Sequence, residues 1–120
     1  MQRFTELKVW QRGHALLLSV HRTTVGFPVA DRYGLLSQLP GAALSLPTNI
    51  AEASKRIGHQ EYARFLMNTA EASLAETEYL PVIGRDLSYI TPTIANSAFN
   101  DIMELTRMLH SLHEKVEAQL

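Results

Sequence analysis

Cysteine is absent from the 120 residues, so the chain has no disulfide, no thiolate nucleophile and no Cys-ligated zinc, and nothing points to an oxidising compartment. The six glycines, at 13, 26, 34, 41, 58 and 84, are scattered, and none precedes Lys and then Ser or Thr at phosphate-loop spacing, so nucleotide cradling is unsupported. Glu-x-x-His does not occur, which removes the carboxylate-bridged di-iron bundles. Formal charge is missing from 33–51, yet Gly34, Ser37, Gln38, Pro40, Gly41, Ser45, Pro47, Thr48 and Asn49 make that stretch too polar and broken for a lipid-facing helix. Gln2 to Glu6 lack the apolar core of a signal peptide, so a cytoplasmic location is expected.

What is present is a chain with 46% hydrophobic and 19% charged residues, enough apolar material to offset the entropy of folding a single domain, 1–120. No repeat or linker divides it. Breakers at 26–31, 58 and 88–92 separate four helical segments, 6–25, 32–55, 59–87 and 92–118, and no strand pattern competes. Short connections predict an all-α, antiparallel up-down-up-down four-helix bundle. Thr5 and Thr91 are the expected N-caps, the latter with Pro92 at the first helical position, and bends are expected near Pro40, Pro47 or Pro81.

The helix faces set the expectations for assembly. In the first helix, Lys8, Gln11, Arg12, Ala15, Ser19 and Arg22 form the polar stripe, and Leu7, Trp10, His14, Leu17, Leu18 and His21 are expected to face the core. A second apolar strip, Val9, Gly13, Leu16 and Val20, widens the arc beyond what one partner helix covers, and is assigned to an interface between copies. The second helix buries Leu35, Leu36, Leu39, Ala42, Ala43, Leu46, Ile50 and Ala53, and its reverse carries only small residues, Gly34, Ser37, Gly41, Ser45 and Thr48. That uncharged reverse face joins the expected self-association surface. Tyr62, Leu66, Ala70, Ser73, Thr77, Leu80 and Gly84 form the seam of the third helix, and Ala95, Ala98, Phe99, Ile102, Leu105, Leu109, Leu112 and Val116 that of the fourth.

Catalytic signals are sparse. His113-Glu114-Lys115-Val116-Glu117 has Glu where a zinc-protease helix needs its second His; with His110 it is read as a solvated helix end, and no metal is expected. His14 and His21, seven apart, are read as core or interface histidines ahead of an acid-base pair. Ser45, Ser73 and Ser111 have no base and orienting carboxylate at motif spacing. No cofactor or small-molecule substrate is implied. Charge is more informative, since residues 1–64 carry +4 and residues 65–120 carry -5. One end of the expected bundle collects Arg3, Lys8, Arg12, Lys55, Arg56, Arg64 and Lys115, with His59, against Glu6, Glu52, Glu61, Glu114 and Glu117. Solvated helix ends explain such a cluster in a lone subunit, whereas a symmetric ring repeats it and adds the fields.

Leu7-Lys8-Val9-Trp10-Gln11, Phe27-Pro28, Asp31-Arg32-Tyr33-Gly34-Leu35, Ser37-Gln38-Leu39, Ala42-Ala43, Pro47-Thr48-Asn49-Ile50-Ala51-Glu52 and Arg64-Phe65-Leu66 together resemble one family. It is that of the four-helix-bundle proteins encoded in intervening sequences of bacterial large-subunit ribosomal RNA genes, also described as ribosomal-protein-like. The resemblance runs through roughly residues 4–90 in order and spacing. It implies a cytosolic all-α bundle without enzymatic activity that assembles as a ring of five subunits. It also points to the related accessory proteins of diversity-generating retroelements, which bind nucleic acid and a reverse transcriptase. Two departures stand out: Pro40-Gly41 replace a basic pair usual in the family, and Ala53 replaces a Gly. Loss of the basic pair counts against nucleic-acid binding and leaves ring assembly untouched. The expected function is a homo-oligomeric binding or scaffolding module with a weak hold on RNA or a ribonucleoprotein. Its alternatives are a protein-protein adaptor and, third, an enzyme with an unrecognised site.

Overall fold

The computed structural model describes residues 3–29, 39–56 and 58–119, with the backbone alone for 39–42. The described residues form four helical rods and no strand. The first is α1 (Lys8–Val25), entered through a 3-10 turn at Phe4–Glu6, and the second is α2 (Leu39–Ser54). The third rod is broken into α3 (His59–Phe65), a π-helical turn (Leu66–Ala70), α4 (Glu71–Thr77) and α5 (Tyr79–Asp86), and the fourth is α6 (Pro92–Glu117). At 1.5 Å per residue the 26 residues of α6 span about 39 Å, most of the 47 Å long axis. No helix among the described residues is long and apolar enough to cross a membrane.

Local chemistry accounts for most of the boundaries. The Thr91 hydroxyl accepts from the Ile94 N–H at 3.2 Å and Pro92 occupies the first turn, as expected of that cap. Gly58, at φ 83°, supplies the left-handed residue that opens α3. Thr5 does not cap α1. Leu7 holds that position without a side-chain bond, and the Thr5 carbonyl instead accepts from Gln11 Nε2 at 2.9 Å. Residues 31–38, with the expected start of the second helix, Leu35, Leu36, Gly34 and Ser37, lie outside the described residues.

Proline acts unequally. Helix α2 runs unbroken through buried Pro47, whereas the third rod is interrupted at Glu78, three residues before Pro81, whose missing N–H leaves the Thr77 carbonyl without its helical donor. The π turn was not expected. There the Glu71 N–H reaches back five residues to the Leu66 carbonyl, while the hydroxyls of Thr69, Ser73 and Thr77 donate to the carbonyls of Phe65, Thr69 and Ser73 at 2.6, 3.0 and 2.7 Å. Such back-bonding competes with the helix ladder and loosens it.

The core contains Leu46, Ile50, Ala53, Leu66, Ala70, Ile102, Leu105 and Leu109, each at most 3% exposed, which fits the seams expected for the last three helices. In α1 the assignment reverses. Val9 and Leu16 are 4% and 5% exposed inside the subunit, and Gly13 lies with them against α2. A Cβ on Gly13 would meet Ile50 at 3.7 Å and Leu46 at 3.8 Å, ordinary van der Waals contact, so this position lies directly on α2. Trp10, His14 and Leu17, expected in the core, are half-buried, and Leu18 and His21 are exposed.

Candidate self-association and nucleic-acid surfaces

The half-buried Trp10–His14–Leu17 strip forms one wall of a groove of about 490 Å³ between α1 and α2, lined by Phe4, Trp10, Leu17, Leu44, Thr48 and Lys55 among others. Trp10 and His14 are four apart, which places one ring above the other on the helix surface. They stack at 5.0 Å with 6° between planes. The 3-10 turn brings Phe4 edge-on to Trp10 at 5.2 Å, and Lys55 Nζ sits 5.4 Å from the centre of the Phe4 ring. Leu44 is 56% exposed beside them.

This geometry corrects the expected interface. Val9, Gly13 and Leu16 are used up by the subunit's own core and present nothing to a second copy. Val20 is half-buried and lines a separate pocket toward α5 and α6. Ser45 is directed to the third rod, where its hydroxyl donates to Ser73 at 2.9 Å. Asn49 Nδ2 donates to the same Ser73 oxygen at 2.8 Å and to the Thr69 carbonyl at 3.4 Å, a network the sequence reading missed. The spacing of Thr69, Ser73 and Thr77, one hydroxyl per turn, was its available signal. Thr48 alone among the described small residues is exposed in the groove; Gly41 lies within α2, and Gly34 and Ser37 fall outside the described residues.

The expected basic cluster is brought together in part. Lys8 and Lys115 line one open groove of about 690 Å³ between the start of α1 and the end of α6, with Arg107, Glu6, Glu104 and Ser111. The Arg56 guanidinium lies 4.2 Å from the Phe65 ring centre at the end of α2. Arg3 is exposed ahead of the 3-10 turn. Arg64 is paired with Glu61 at 3.4 Å, Arg107 with Glu104 at 3.3 Å, and Arg12 lines a different groove with Asp101. The field at this end is therefore mixed, with Arg3, Lys8, Lys55, Arg56 and Lys115 outside any ion pair among the described residues.

The histidines are dispersed. His14 is stacked on Trp10 while His21 is exposed, so they do not form a buried pair. His110 reaches Glu71 on α4 at 3.4 Å, and His113, 8% exposed, lies 3.9 Å from Glu117. No group of three or more potential ligands among the described residues is placed to hold a metal ion. Burial pushes the Tyr62 phenol up from its ordinary value.

No curated protein matches the chain. The family described as 23S rRNA-intervening sequence protein matches residues 5–111. That span covers the first three helical rods and most of the fourth, ending within α6, and the chain belongs to this family of 23S rRNA-intervening sequence proteins.

Proposed function

We propose that this chain is a non-enzymatic, cytoplasmic scaffolding module that assembles with copies of itself through the α1–α2 groove. The observation that carries this reading is the half-buried Trp10–His14–Leu17 strip facing exposed Leu44 and Thr48, an apolar groove only partly covered in one subunit. Aromatic and aliphatic side chains in a shallow groove with few charges have the composition of an interface centre. The family resemblance adds the number, a ring of five.

An antiparallel up-down order of the rods fits the contacts. Phe4 meets Lys55, and Lys8 shares a groove with Lys115, at one end; Val20 shares a pocket with Ile94 and Leu80 toward the other. A weak, sequence-blind hold on RNA at the basic end is the second element of the proposal, supported by Arg3, Lys8, Lys55, Arg56 and Lys115, which lie outside ion pairs among the described residues, and by the Arg56–Phe65 contact. The competing reading is an adaptor that binds protein alone.

Leu44→Arg tests the surface, with Ser45→Arg as the contrast. Placing a charge at exposed Leu44 should dissociate the assembly while leaving the helical fold intact by circular dichroism. Ser45→Arg should damage the subunit itself, because it intrudes on Ser73 and Asn49. Retention of the native assembly in Leu44→Arg would place the interface elsewhere.

A further inference from the structure

We propose that a pocket between α1, α5 and α6 binds a small arylalkylammonium ion, with its ring on an apolar floor and its ammonium at Asp101. The pocket is separate from the self-association groove and from the basic end. Its volume is about 160 Å³. An apolar protein cavity of about 150 Å³ accommodates benzene, so the space suits one six-membered ring. Leu16, Phe27 and Leu80, exposed by 5%, 7% and 7%, form the floor, and Ile94, 49% exposed, stands at the mouth.

The floor is fixed by its own packing. A Cβ on Gly84 would lie 3.2 Å from Ile90 and 3.5 Å from Phe27, so both side chains rest directly on that helix. Tyr89 braces Phe27 at 5.0 Å between ring centres. The Phe27 ring is thus contacted on two sides, by the Gly84 backbone and by Tyr89.

Charge at the mouth selects the ligand. Among the described residues Asp101 is the only acidic or basic side chain lining it, exposed on α6 one turn from Ala98 and Ser97. Among the described residues its carboxylate takes no hydrogen bond or ion pair, and neither does the hydroxyl of Ser19 or Ser97. The Thr23 and Thr24 hydroxyls are already engaged, donating to the carbonyls of Ser19 at 2.9 Å and His21 at 3.1 Å. Arg12 shares an adjoining groove with Asp101 without forming an ion pair. The mouth thus offers acceptors and one negative charge above an apolar floor, which favours a cation carrying a ring and disfavours an anion.

Amide TROSY spectra of the intact chain, titrated with 2-phenylethylammonium, 2-phenylethanol and phenylacetate, test the site. The ammonium should give saturable shifts centred on Val20, Phe27, Ile94 and Ala98, with the alcohol weaker and phenylacetate weakest. Asp101→Asn, at an exposed position that keeps the fold, should weaken the ammonium about threefold and leave the alcohol unchanged, as expected of a solvent-exposed charge pair. Ala98→Phe, which fills the pocket, should abolish all three. Absence of saturable shifts, or equal binding of the three probes with no effect of Asp101→Asn, overturns the proposal whether or not Ala98→Phe folds.

Discussion

The side-chain amide of Asn49 on α2 donates to the Ser73 hydroxyl at 2.8 Å, linking the second rod to the third just past the π turn. The same Ser73 accepts from Ser45 at 2.9 Å and donates to the Thr69 carbonyl at 3.0 Å, so one buried hydroxyl organises the contact. Asn49→Ala removes both donations from the amide and leaves those acceptors poorly served. Urea unfolding should show a loss of about 1–2 kcal/mol with the slope unchanged. A loss under about 0.5 kcal/mol would show that the network contributes little beyond packing.

Gly13 offers the opposite sign. Its missing Cβ leaves ordinary van der Waals spacing to Ile50 at 3.7 Å and Leu46 at 3.8 Å, and its place inside α1 carries the entropic cost of glycine. Gly13→Ala should therefore stabilise the subunit by about 0.5–1 kcal/mol in thermal unfolding. Gly13→Leu should destabilise it by about 1–3 kcal/mol, because the extra atoms force α1 and α2 apart. Destabilisation by Ala would mean that the two helices cannot yield even to ordinary contact.

These two residues also mark how far the sequence could be read. The four rods, the Thr91 cap and the seams of the last three helices follow from periodicity and turn chemistry, and residues 66, 70, 73, 77 and 80 are buried as their spacing predicts. In α1 two neighbouring strips are both apolar, so periodicity cannot choose between them. The structure places the Val9–Gly13–Leu16 strip against α2 and leaves Trp10 and His14 half-buried beside it, Trp10 still packing on the edge of the core. The π turn and the Asn49 network are tertiary in origin. Hydroxyls at 69, 73 and 77 hint at them, but their partner sits on another rod. For the surfaces, charge content identified the basic residues while side-chain pairing, visible only in three dimensions, divided them.

Tyr62 gives the chain an alkaline limit. Its phenol titrates higher in the folded state than in the unfolded state because burial disfavours the phenolate. The stabilisation is fully present below the unfolded value of about 10 and is lost as pH rises through the higher folded value. Tyr62→Phe should lack this component, so the stability gap between the two proteins should change between pH 9 and 11 in urea unfolding. Parallel pH profiles would contradict it.

Lys55→Glu combined with Arg56→Glu tests the basic end. Both cations are free of ion pairs among the described residues and sit beside Phe4 and Phe65. If they meet phosphates, the double variant should weaken binding to single-stranded and structured RNA alike, and lower the slope of log affinity against log salt by about two. Fluorescence anisotropy at low salt decides the matter. No binding by the native chain would favour the protein-only adaptor, and binding indifferent to salt and to the variant would exclude this surface.

Self-association through the α1–α2 groove is read out by sedimentation velocity of the native chain at micromolar concentration. A single species at a multiple of the 13.5 kDa subunit is expected, fivefold for the proposed ring, with a 13.5 kDa species for Leu44→Arg. A native chain that sediments at 13.5 kDa would contradict self-association, leaving the groove between Trp10, Leu17 and exposed Leu44 with no second copy to cover it.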